Sequence, residues 1–268
     1  MTTASTSASR TRLRKPAIAL RPRSTVAIAL AVVAGLVAFC WPLLVSADSG
    51  LAANSAAPLI LGSLLPVVLA VVLFEISEGG LDPKAVAMLG VLSAVGAAIR
   101  PLGAGTAGIE TVFFLLILGG RVFGAGFGFV LGATTLFGSA LFTGGVGPWL
   151  PYQMLGASLV GLFAGLLPPL RGRAELALLA VYGAVSGIGY GVLQNLSFWP
   201  FGLGQRTELS FVAGASIADN LHRFLVFSFS TSLGWDLVRG LTNVVLILVT
   251  GPAILATLRR AARKADFR

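Results

Sequence analysis

Ser24-Thr-Val-Ala-Ile-Ala-Leu-Ala-Val-Val-Ala-Gly-Leu-Val-Ala-Phe-Cys-Trp-Pro-Leu-Leu-Val45 is an apolar run without a charged residue. It covers the roughly 20 residues that a helix needs to cross the hydrocarbon core of a bilayer. Arg10, Arg12, Arg14, Lys15, Arg21 and Arg23 crowd the polar, Ser/Thr-rich segment before it. Basic residues flanking a span are held on the cytoplasmic side and are attracted to anionic lipid. The run therefore reads as a first transmembrane helix with its N-terminus inside, preceded by a disordered tail over 1–23. Val45-Ser46-Ala47 resembles a signal-peptide cleavage site, but the apolar stretch exceeds the ~7–15 residues usual for a signal sequence. A retained span is the better reading, and in either case the loop Ser46 to Ala56 lies outside.

The rest of the chain extends the same pattern. Further apolar blocks occupy 57–76, 84–99, 107–120, 122–143, 151–168, 175–195 and 237–258, which makes eight spans. An even number returns the C-terminal cluster Arg259, Arg260, Arg263, Lys264 and Arg268 to the side of the N-terminus, and it places Lys84, Arg171 and Arg173 there too. The expected fold is thus all-α and polytopic, in a cell membrane, with both termini cytoplasmic. Segment 196–236, with Trp199, Phe201, Asp219, His222 and Arg223, does not read as a ninth span. An outward loop carrying a short interfacial helix preserves the parity.

Composition agrees. Of 268 residues, 56% are hydrophobic and 11% charged, against about 25% charged in a soluble domain; mean hydropathy is +0.92. The net charge of +9 would suggest nucleic acid in a soluble protein. Here the charge is a topology signal, and no basic face interleaved with aromatics points to base stacking. The lone Cys40 excludes an internal disulfide and a zinc site of the usual kind.

Small residues recur every fourth position in several spans: Gly90, Ala94, Ala98; Gly124, Gly128, Gly132; Ala157, Gly161, Gly165; and Gly183, Gly187, Gly191. Such stripes let helix backbones approach closely in lipid. Most are expected inside the bundle. The first follows the polar turn Glu75 to Lys84, and if it faces outward it forms a docking groove for another membrane protein. Gly126-Phe-Gly-Phe-Val-Leu-Gly132 is not a dinucleotide fingerprint, because its spacing is wrong and it lies within an apolar span.

Catalytic chemistry is thinly represented. Metal-ligand clusters, phosphate loops and usefully spaced carboxylate pairs are missing from the sequence, and no cofactor is expected. His222 with a nearby serine is the sole sketch of a hydrolase, and an interfacial polar role fits it better. Polar and aromatic residues gather instead near the predicted outer ends of spans: Arg100, Glu110, Trp149, Tyr152, Gln153, Tyr190, Asn195, Trp199, Trp235 and Asp236. Glu110 begins a span and needs a partner, which Arg100 supplies if the short loop between them folds back. A pocket for a small organic ligand and an interfacial aromatic belt fit this set equally well.

The stretch Gly144-Gly-Val-Gly-Pro-Trp-Leu-Pro-Tyr-Gln-Met-Leu-Gly156, running into Gly161-Leu-Phe-Ala-Gly-Leu-Leu167, resembles the substrate-binding S components of energy-coupling-factor (ECF) transporters. It is nearest to their actinobacterial and cobalamin-type members. Ala94 and Ala98 resemble the alanine motif by which S components dock. The resemblance implies a six-span core over 84–260, preceded by two additional spans within 24–83 and followed by a basic tail, 261–268. It implies capture of a vitamin or related micronutrient on the outer side, and partnership with a coupling transmembrane subunit and two cytoplasmic ATPases. On this view Gly90, Ala94 and Ala98 contact the coupling subunit, Trp149, Tyr152, Gln153, Tyr190, Asn195 and Asp236 bind substrate, and 196–236 is a lid. A stand-alone secondary transporter is the alternative; charge pairs at mid-membrane depth and an inverted repeat would favour it. An intramembrane hydrolase ranks third.

Overall fold

A computed structural model of the protein describes residues 22–45, 57–78, 83–103, 106–202 and 207–265. The expected basic tail up to residue 21, the loop 46–56, the centre of the polar turn at 79–82 and the last three residues of the C-terminal tail lie outside the described residues, as do 104–105 and 203–206. Every regular element among the described residues is helical. The helices are α1 (Pro22–Phe39), α2 (Trp41–Leu44), α3 (Ala57–Glu78), α4 (Pro83–Gly103), α5 (Phe113–Phe123), α6 (Ala125–Thr143), α7 (Leu150–Leu166), α8 (Gly172–Gly202), α9 (Ile217–Thr231) and α10 (Leu233–Ala265), with a 3-10 turn at Thr106–Gly108. Six of the described segments are long and apolar enough to cross a bilayer. The chain is an all-α polytopic helical protein.

Burial divides the helices into a centre and a surrounding layer. In α5 every residue except Arg121 is buried, and α6 and α7 are buried along most of their length. The outer helices turn Val91, Val95, Val181, Val185, Val245, Leu248 and Val249 to the outside. A surface as apolar as the core is costly in water and neutral in lipid.

The stripes explain how the centre closes. A Cβ added at Gly128 would meet the carbonyl of Gly161, and one at Gly161 would meet Gly128; Gly132 lies against Ala157, and Gly165 against Ala125. Helices α6 and α7 are therefore in backbone contact. On the other side a Cβ added at Gly183 would meet Asn243 and Ile247, and one added at Gly187 would stand 3.0 Å from the Gly240 backbone, so α8 lies close on α10. Three of the four stripes thus pack internally.

The fourth does not. Gly90, Ala94 and Ala98 are exposed, while Leu92, Gly96 and Ala97 on the opposite side of α4 are buried; a Cβ at Gly90 would meet nothing within 4 Å. The N-terminal pair leaves this face open, because α1 and α3 pack on α7 and α8. There Gly35 meets Leu155, and the Phe39 ring stands edge-on to Tyr152 at 5.3 Å.

Two boundaries differ from the sequence reading. The expected span 107–120 is a turn followed by the short helix α5, which runs on to Phe123, so Arg121 lies in a helix rather than between two. The division falls at Gly124, whose φ of 107° is accessible to glycine alone. Helix α8 continues through Leu196 and Trp199 to Gly202, so the segment expected to form a loop begins later than 196. Beyond it α9 is a short amphipathic helix, as expected. Ser216 caps it by accepting from the Asp219 amide, and Phe224 and Phe227 close a small core with Leu196 and Trp199.

Ion pairs and caps fix which ends lie together. Trp41 Nε1 donates to the Ser197 carbonyl, which joins the end of α1–α2 to the end of α8. Glu175, at the start of α8, accepts from Arg121 at 2.7 Å and from Arg259, near the end of α10, at 2.6 Å. Lys84 Nζ donates to the Ala265 carbonyl. Helices α1 and α10 therefore begin and end the described chain at one end of the bundle, the termini end.

Candidate functional site

At the opposite end, polar side chains converge from five helices and the segment before α5. Arg239 of α10 is their hub. Its Nε donates to Glu110 Oε1 at 2.9 Å, and its Nη1 donates to Asp236 Oδ1 at 2.6 Å and to the Gly187 carbonyl at 3.4 Å. Asp236 and Arg239 are three residues apart and share one helix face. Gly191 of α8 makes the room: a Cβ there would collide with the Asp236 carboxylate and with Arg239 Nη1, at 2.5 Å.

This arrangement corrects the expected Arg100–Glu110 pair. Glu110 is taken by Arg239, which approaches from α10 because the turn at Thr106–Gly108 packs on the start of that helix; Gly108 lies against the Trp235 carbonyl. Arg100 turns the other way, toward α6 and α7. Its Nη1 donates to Ser139 Oγ at 3.3 Å and its Nη2 to Gln153 Oε1 at 3.2 Å.

Tyr190 of α8 lies between Arg239 and the face of α7 that carries Gln153. Its ring packs on Phe113 with centroids 4.6 Å apart, and the Arg239 guanidinium carbon stands 5.5 Å from its centroid, within cation–π range. Gly156 lies directly against the Tyr190 ring and against Gln194 Nε2. Gln153 is one turn from Gly156 on the same face of α7, so Arg100, Gln153, Tyr190, Arg239, Glu110 and Asp236 form one continuous polar wall.

Comparison with protein-family models, curated proteins and solved structures finds no match.

The remaining candidates from the sequence distribute unevenly. Tyr152, although adjacent to Gln153, points toward the N-terminal helices. It packs on Phe39 and Gly62, and its buried hydroxyl has no partner among the described residues. Trp149 is 40% exposed and donates its indole N–H to the Gly145 carbonyl, which suits the rim of the bundle. Asn195 is half-buried, and its Nδ2 has no partner among the described residues. Asp236 is buried and already engaged by Arg239, so it braces the wall from behind. His222 is exposed on α9.

Sequence reading missed Arg239, Gln194 and Asn243. Gln194 Nε2 donates to the Tyr152 carbonyl, and the fully buried Asn243 donates to the Gly183 carbonyl. A signal was present in Asp236-xx-Arg239-xxx-Asn243, which places three polar groups on one face of an apolar helix, where each needs a partner.

Proposed function

We propose that the protein is the membrane-embedded substrate-binding subunit of an ECF-type importer, and that it takes a vitamin-like small molecule at the end opposite its termini. The observation that carries this reading is the convergence of Arg100, Gln153, Tyr190 and the Arg239 ion pairs at a single end of an otherwise apolar bundle. Gln153 is also the last polar residue of the Gly147-Pro-Trp-Leu-Pro-Tyr-Gln153 stretch that resembles S components. The wall offers aromatic surface beside a few directional polar groups, which small-ligand sites require. The termini end, with Lys84, Arg171, Arg173, Arg259, Arg260, Arg263 and Lys264, takes the cytoplasmic side of a cell membrane by the positive-inside rule. The polar wall then opens outward, with α9 and its loop beside it as a lid.

The open Gly90–Ala94–Ala98 face supplies the contact with a coupling transmembrane subunit, itself driven by two cytoplasmic ATPases. Affinity purification of the full-length protein from its native membranes in mild detergent is expected to recover all three partners. Recovery of the protein alone would count heavily against the assignment.

A stand-alone secondary transporter is the second reading, and the Glu110–Arg239–Asp236 group, in which Arg239 and Asp236 are buried, is the feature in its favour. These charges sit near helix ends rather than at mid-membrane depth, which weakens it. Uptake that stops with an ionophore while ATP remains available would decide for this alternative.

A further inference from the structure

The arginines held between helices differ in what they hold. Arg121 and Arg259 share the Glu175 carboxylate, and Arg239 bridges Glu110 and Asp236. Arg100 has two hydrogen bonds, both to neutral acceptors, Ser139 Oγ and Gln153 Oε1. Among the described residues no carboxylate lies within ion-pair distance of it. Of the carboxylates at this end among the described residues, Glu110 and Asp236 are committed to Arg239, and Asp219 accepts from Ser216 on α9.

A simpler role for Arg100 would be to cap α4, since it occupies the last turn, where a cation suits the helix dipole. A capping arginine at the membrane surface turns its head outward to water and headgroups. Arg100 is instead drawn inward by Ser139, which is fully buried on α6, and by Gln153 on α7. A guanidinium has five N–H donors in a fixed fork, and neutral bonds to two of its nitrogens leave the charge of this half-buried side chain without a counter-ion among the described residues. Gln153 and Ser139 hold the fork in one orientation, with the Tyr190 and Phe113 rings further along the same wall.

We propose that Arg100 is the anchor for an anionic group, a carboxylate, phosphate or sulfonate, on the molecule bound at this end of the bundle. The inference rests on the ligand-binding reading and narrows it to an anion. Gln153 and Ser139 act as positioning residues for the guanidinium, and Tyr190 lines the wall beside the ligand's apolar part. The geometry favours arginine over lysine, because a planar fork recognises an oxyanion with two parallel bonds whereas an ammonium presents a point charge.

The test is mass spectrometry of the small molecules released from the purified full-length protein, after separation into aqueous and lipid-soluble fractions. The wild type is compared with Arg100→Gln and Arg100→Lys, each checked for a wild-type elution profile. The wild type is expected to release an organic anion, with occupancy about ten- to a hundred-fold lower in Arg100→Gln, as expected for loss of charge-assisted bonds. Arg100→Lys keeps the charge, and it serves if the neutral variant fails to fold: reduced but measurable anion occupancy supports the anchor.

An Arg100-dependent anion in the aqueous fraction identifies a soluble ligand. One in the lipid fraction identifies a phospholipid headgroup, which keeps the anchor and removes the importer reading. A neutral or cationic molecule, or an anion retained equally by all three proteins, overturns the anchor while leaving ligand binding intact. Release of no molecule at all from the wild type overturns both.

Discussion

Arg239 connects Glu110 and Asp236, two groups that a hydrocarbon environment would otherwise penalise. With 11% of its side chain exposed, it is buried enough for the loss of one partner to leave uncompensated charge. Arg239→Ala is expected to cost about 3–5 kcal/mol, measured as a fall in the unfolding midpoint in detergent. Combining it with Glu110→Gln and Asp236→Asn should recover much of that loss, because no bare carboxylate then remains. Gly191→Ala tests the same pair sterically: its Cβ displaces Asp236 from Arg239, and the unfolding midpoint should drop although no charge has changed. The local half of this pair was legible, since residues at i and i+3 share a helix face. The Arg239–Glu110 half was not. Its partners are far apart in sequence, and the short loop after Arg100 made the nearer arginine the natural choice for Glu110.

At the level of elements, the small-residue stripes have two distinct uses. Between α6 and α7 they bring backbones into contact, and Gly161→Leu must push Gly128 away. That overpacking is expected to cost about 1–3 kcal/mol or more, seen as lost monodisperse protein on size exclusion. On α4 the same spacing lies open, so Ala94→Leu with Ala98→Leu should alter the unfolding midpoint by no more than about 0.5 kcal/mol equivalent. The eight apolar segments and the small-residue periodicity were readable because each is a local pattern. The direction a stripe faces was not, since every face of these helices is apolar and the hydrophobic pattern that orients a soluble helix is missing. The division at Gly124 was hidden for a related reason: with apolar residues on both sides, only its backbone angle marks the break. Helix α9 was more legible, because its polar and apolar faces differ and Ser216 provides a cap.

For the whole molecule, the bonds Trp41–Ser197 and Glu175–Arg259 bring the described termini to one end. The polar wall and α9 occupy the other. With Cys40 replaced by alanine, a cysteine in place of the exposed His222 should react with a membrane-impermeant maleimide on intact cells. One in place of Arg263 should react only after the membrane is permeabilised. The reverse pattern would invert the proposed orientation. Parity was readable from charge because basic residues gather at alternate turns. How the N-terminal pair sits on the remaining helices needed the structure: α1 and α3 lie on α7 and α8, on a different side from the α4 stripe.

If one end binds a small molecule while the open face of α4 docks a partner, the two roles separate when the Ala94→Leu, Ala98→Leu double variant is purified beside the wild type. Both readouts, co-purifying proteins and bound small molecule, come from the same preparation. The wild type is expected to bring down a membrane subunit and two ATPases, and the variant to lose all three while keeping its small molecule. Partners retained by the variant, or the small molecule lost together with them, would contradict this separation of roles.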